Sequence, residues 1–197
     1  NDTSLVVNDL PSDNDYLFVI EKQFYFNNVN FTCPDAQMSA IKGNNSNQVI
    51  VKSCKFNSCS VKSAIGSGGA ILSINCVLKC ESSQFVNCRS KENGGGGGIS
   101  IVLNQNINED VTISKCKFSE CSATFGGALY LYSNVDSNTI VIQKSTFLSN
   151  TLIESKSSTD SINGGSAIYV NAVKASIKFC KFVDNSGLSS VKVDNNF

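Results

Sequence analysis

Nine cysteines and no histidine bound the chemistry open to this 197-residue chain. Without imidazole it lacks the commonest general base, metal ligand and pH switch, so serine triads and most zinc sites are excluded. The thiols are patterned: Cys-Lys-Phe-x-x-Cys runs from Cys54 to Cys59 and again from Cys116 to Cys121, and a third copy keeps Cys180 but ends on Asn185. A local disulfide in each full copy is one reading. A bridge between successive copies, Cys59 to Cys88 or Cys88 to Cys121, is a second. A third leaves the thiols reduced as small apolar fillers, the role Cys80 must take where its counterparts are Ile or Val. A metal centre is disfavoured, because no Cys-x-x-Cys occurs. An odd count leaves one thiol free or bonded between molecules, and nine cysteines favour oxidising surroundings.

The remaining chemistry-bearing residues are dispersed. Adjacent carboxylates occur at Glu109-Asp110 and, nearly so, at Asp13 and Asp15, both in turn-like sequence. Gly94 to Gly98 lacks the Lys-Ser/Thr of a phosphate loop and precedes a strand pattern, so it reads as a corner. No nonapeptide calcium repeat follows the glycines. The sequence thus implies no cofactor. Asn30 and Asn44 are usable glycosylation acceptors if the chain is secreted, although 24 asparagines and 30 serines make chance sequons expected. Leu72, Tyr130, Tyr132 and Tyr169 fall on the outward parity of their strands, where aromatics stack on sugar rings or pack against a partner chain.

The elements that position these residues come from repetition. Phe followed three residues later by Asn or Cys recurs at Phe24, Phe56, Phe85, Phe118, Phe147 and Phe182. Between them lie glycine steps into apolar runs: Gly68-Gly69-Ala70-Ile71, Gly97-Gly98-Ile99, Gly126-Gly127-Ala128-Leu129 and Gly164-Gly165-Ser166-Ala167-Ile168. Units of this size cannot bury their own apolar faces, so they must stack as a solenoid. Aligned on the Phe, two columns seven and five residues earlier are apolar: Leu17, Val49, Leu78, Val111, Ile140 and Ala175, then Val19, Val51, Cys80, Ile113, Ile142 and Ile177. That is the strand period. The next inward column, Cys54, Ser83, Cys116, Ser145 and Cys180, lies three residues further on. Such a step requires a bend near Ser53, Ser82 and Lys115. The fold expected is all-β, a right-handed parallel β-helix of about five or six coils. Residues 46–197 carry the repeats, and residues 1–45, with both prolines, form an irregular first coil or cap.

Paired motifs such as Phe118-Ser119-Glu120-Cys121 with Gly126-Gly127-Ala128-Leu129 make the stretch from Phe24 to Asn185 resemble the repeats of chlamydial polymorphic outer membrane proteins and their protist relatives. The resemblance implies a pectin-lyase-like β-helix exposed on a cell surface, often in adhesion. The Cys that replaces Asn in three of the six motifs departs from the bacterial pattern.

Charge and hydropathy exclude two function classes. Sixteen basic and sixteen acidic residues give no field to attract nucleic acid. No run of about 18 apolar residues is available to span a bilayer. The start, Asn1-Asp2-Thr3, reads as a processed form or an excerpt. With the resemblance to surface-exposed repeats, the expectation is a non-catalytic, extracellular or cell-surface segment of a larger structural or adhesive protein. Its partners would be other copies or segments of that protein, in an end-to-end filament, or glycans and host or cell-surface proteins. Two alternatives stand beside it: a polysaccharide lyase or hydrolase of the pectin-lyase-like fold, and a glycan-binding module.

Overall fold

The computed structural model describes residues 3–5, 16–33, 38–45, 48–61, 68–90, 94–153, 164–172 and 174–194, and all of their regular structure is β. Each turn of the chain visits four sheets in one order. Ile71–Ile74, Val77–Glu81, Gln84–Val86 and Arg89–Ser90 make one coil, placed in what we term sheets I to IV. Ile99–Leu103, Val111–Ser114, Lys117–Ser119 and Ser122–Ala123 make the next and lie beside them in parallel register. Four complete coils stack between Ser39 and Leu152, flanked by partial coils with strands in sheets I to III alone. The chain is a parallel β-solenoid, with four complete coils because, among the described residues, the flanking ones supply no strand to sheet IV.

The sheet II columns pair as the alignment requires, Val49 with Leu78, Val111 with Ile140, and Ile113 with Ile142. Their first members differ. Phe24 and Phe26, rather than Leu17 and Val19, stand opposite Val49 and Val51. The ring that heads the phenylalanine ladder is accordingly Phe31, paired with Phe56. Phe24 and Val19 are exposed, as is Asn27. Three phenylalanines within eight residues offered two registers, and Phe31 carries no Asn or Cys at the diagnostic step, so the motif picked the wrong one. Residues 16–45 supply strands to sheets I, II and III and so continue the stack. Thr3–Leu5 pairs with Val29–Thr32.

Stacking sets the core. Rings of Phe31, Phe56, Phe85, Phe118, Phe147 and Phe182 follow one another at 4.6, 4.7, 4.7, 5.1 and 5.0 Å between centroids, within 10° of parallel. Aromatic pairs left to themselves favour offset or edge-on geometry; here the coil spacing of about 4.8 Å dictates the contact. The first five are fully buried, each removing about 1.5–3 kcal/mol of side chain from water.

The corners are made by single residues in the left-handed region. Between sheets II and III these are Asn28, Ser53, Ser82, Lys115, Lys144 and Phe179, with φ between 52° and 55°. Three of them are the positions at which the parity shift demanded a bend. Between sheets III and IV the same device recurs at Ser58, Asn87, Glu120 and Ser149. Glycine enters for a different reason. A Cβ on Gly68, Gly96, Gly126 or Gly165 would lie about 2 Å from the carbonyl oxygen three residues on. Only Gly96 and Gly126 among these have positive φ. Close backbone approach selects the residue, and the structural repeat is Gly96-Gly97-Gly98-Ile99 and Gly165-Ser166-Ala167-Ile168, one residue offset from the motif as read.

Candidate functional site

Two columns inside the corners hold most of the cysteines. In the column after each Phe, Asn150 donates Nδ2 to Phe118 O at 3.2 Å and Asn185 donates to Phe147 O at 3.0 Å. Cys121 and Cys88 direct their thiols at the equivalent carbonyls, Phe85 O and Phe56 O, each at 3.6 Å. The thiol therefore replaces the amide as a donor to the same acceptor. Asn does more, because Asn150 Oδ1 also accepts the Cys121 N–H at 3.0 Å. In the column before each Phe, Cys54 and Cys116 alternate with Ser83 and Ser145, whose hydroxyls accept the cysteine N–H groups at 3.1 Å.

One disulfide is closed, Cys33–Cys59, and it joins successive coils. The local Cys54–Cys59 and Cys116–Cys121 pairings are not made, nor are Cys59–Cys88 and Cys88–Cys121: Cys54, Cys88, Cys116 and Cys121 are free and buried. Neighbouring coils bring one member of the column beside another, whereas the two cysteines of a motif are separated by the Phe strand. Cys33 stands outside the motif because it lies two residues after Phe31 rather than three. Burial pushes the Cys54 and Cys121 thiols up, the latter helped by Cys88 beside it. Cys80 and Cys116 touch at 3.7 Å between sulfurs. A bond from one thiol to the other's thiolate holds Cys116 below the ordinary thiol range, while that contact and burial hold Cys80 well above it.

The outward aromatic face is smaller than its sequence suggests. Leu72 and Tyr169 are buried; Tyr130 and Tyr132 remain half-exposed. Tyr130 and Tyr169 stack at 5.6 Å, and Phe125 covers Tyr169 at 5.4 Å. Gly95, from the Gly94 to Gly98 run, packs so closely on Tyr130 that a Cβ would fall 2.4 Å from the ring. The glycine run is a lateral cover, and this face reduces to Tyr130 and Tyr132.

A concave surface that the sequence did not announce lies at the corner between sheets I and II. It is a groove of about 300 Å³ lined chiefly by carboxamides, among them Gln23, Asn45, Gln48, Asn75 and Gln105, with Val77 and Ile107 as apolar floor. One coil earlier the corner is short: Ile74 and Val77 are separated by two residues. The following coil runs seven residues from Leu103 to Val111, and its loop folds back across two coils. Gln105 donates to Asn45 Oδ1 at 3.4 Å, Gln48 donates to Glu109 Oε2 at 3.4 Å, and Lys79 pairs with Glu109. Asn138, buried in the next coil, supports the loop by donating to Gln105 O and accepting from Ile107 N. The extra length at this corner and at the next, where six residues separate Ser133 from Ile140, was the legible signal.

Among the described carboxylates elsewhere, Asp194 is shared between Lys192 at 3.4 Å and the Tyr169 hydroxyl at 2.6 Å. Glu81 accepts from Lys115 at 2.9 Å, which holds its carboxyl below the usual range. Among the described residues no three His, Cys, Asp or Glu side chains converge on a metal position. No described helix is long and apolar enough to cross a membrane. Asn30 and Asn44 lie half-exposed in Val29–Thr32 and Ser39–Asn44. Comparison with protein families, with curated proteins and with solved structures finds no match for this chain.

Proposed function

We propose that this chain is a non-catalytic structural or adhesive segment of a larger extracellular or cell-surface protein, acting by shape and surface contact. The observation that carries this reading is how its chemistry is spent. Thiols, hydroxyls and the inner asparagines go into ladders that bind coil to coil, while the outer carboxylates stand apart from one another beside lysines. The resemblance to polymorphic outer membrane protein repeats points the same way. Partners fit at the ends of the stack, where Val19, Phe24 and Tyr25 are exposed at one end and Phe179, Leu188 and Val193 at the other. Unpaired strand edges with apolar neighbours associate with further coils, whether of another copy or of another segment of the same protein. Electron microscopy of the native material checks this: end-to-end rods are expected, and dispersed particles of single-chain length would exclude the filament. Incubation with pectic and related glycans should release no reducing or unsaturated ends; turnover would establish the enzyme reading instead.

A second reading, a glycan-binding module, is favoured by the corner groove. Its amides are neutral, its one charged lining residue, Glu109, is paired with Lys79, and carboxamides recur from coil to coil, matching the hydroxyls of an uncharged sugar chain better than a charged ligand. Retention on a panel of immobilised neutral oligosaccharides, lost in a Gln48→Ala, Gln105→Ala double variant of unchanged melting temperature, would support it. Equal retention of that variant would exclude the groove.

A further inference from the structure

We infer that Cys80 and Cys116 form a second inter-coil disulfide site, closed by a low-molecular-weight disulfide such as oxidised glutathione while the solenoid is folding. Two departures from the column pattern meet at this point. The inner sheet II column is Phe26, Val51, Ile113, Ile142 and Ile177, and Cys80 is its one non-hydrocarbon member. The corner column holds Cys54, Cys116 and Cys180 alternating with serine. A corner residue lies over the inner residue of the coil before: Cys180 directs its thiol at Ile142 O at 3.9 Å, and Cys116 directs its own at Cys80 O at 3.6 Å. Where Cys180 meets isoleucine, Cys116 meets a thiol.

The sulfurs stand 3.7 Å apart, 36 residues distant in sequence. A bond of about 2.05 Å needs them roughly 1.7 Å closer, a movement that rotation about the two Cα–Cβ bonds can supply. The same solenoid already tolerates a bridge between successive coils at Cys33–Cys59. Cys80 and Cys116 are only 1% and 2% exposed, so the oxidant must act before the coils close over them. One cysteine thiolate attacks a sulfur of oxidised glutathione and expels a glutathione thiolate. The second then attacks the protein sulfur of that mixed disulfide and expels the other. Two protein thiols have lost two protons and two electrons, and one glutathione disulfide has become two glutathione thiols.

The test is to refold the full chain from urea in reduced and oxidised glutathione, alkylate the remaining thiols and map the peptides by mass spectrometry. One cross-linked species containing both Cys80 and Cys116 is expected. The oxidised protein should also melt roughly 5–15 °C above a Cys80→Val variant refolded in the same buffer. Valine is the residue at the equivalent position of the preceding coil, so the variant keeps the column filled, and the peptide map of the unaltered chain does not depend on it. Free, alkylated Cys80 and Cys116 in the refolded product would overturn the inference, whatever the state of Cys33 and Cys59. So would pairing of Cys116 with Cys54 or Cys121.

Discussion

Asn150 donates its carboxamide to Asn185 Oδ1 at 2.8 Å, and the same oxygen accepts the Asn150 backbone N–H at 3.0 Å. Each asparagine thus ties its own coil to the next through side chain and main chain at once. Truncating Asn150 to Ala would strand Cys121 N–H and Phe118 O in a buried corner. A loss of about 2–4 kcal/mol is expected, read as a lower urea midpoint with the slope unchanged.

Phe179 occupies a left-handed corner at φ 55° while its ring is 83% exposed. A bulky side chain there carries backbone cost without packing gain. Phe179→Asn should therefore stabilise the protein, by about 1 kcal/mol, and raise the urea midpoint; a lowered midpoint would mean that the ring makes contacts in solution.

Gly126 combines φ 59° with a Cβ position 1.9 Å from Leu129 O. Neither backbone group can yield without breaking the Ala128-to-Ala167 hydrogen bond of 2.9 Å that ties the coils here. Gly126→Ala should cost more than about 2 kcal/mol, visible as a fall in melting temperature or as loss of soluble protein.

Tyr169 donates its hydroxyl to Asp194 Oδ2 at 2.6 Å. Burial first, and this bond second, push its phenol well above the ordinary range. Because the folded pKa is raised, the stabilisation is fully present below the unfolded value, about pH 10, and is lost as pH climbs through the folded one. Stability curves should fall above about pH 10, and Tyr169→Phe should flatten that fall. An identical alkaline limb in the variant would remove Tyr169 as its source.

How much was legible follows from what repeats. Strand columns, the phenylalanine ladder and the bends at Ser53, Ser82 and Lys115 could be read because every coil places the same demand on the same position. Stacking about 4.8 Å apart turns local periodicity into tertiary structure. The register of the first coil was misread where Phe24, Phe26 and Phe31 competed, since a motif match does not know which ring has a neighbour above it.

The sequence by itself determined the coil, because an apolar alternation with a fixed corner step has one way to bury itself. Only the tertiary structure decided what meets across coils. It closed Cys33 on Cys59, set Cys116 over Cys80, covered Tyr169 with Phe125, and folded the loop after Leu103 back to build a groove. Those are contacts between residues tens of positions apart whose partners depend on register and loop length, and composition is silent on both.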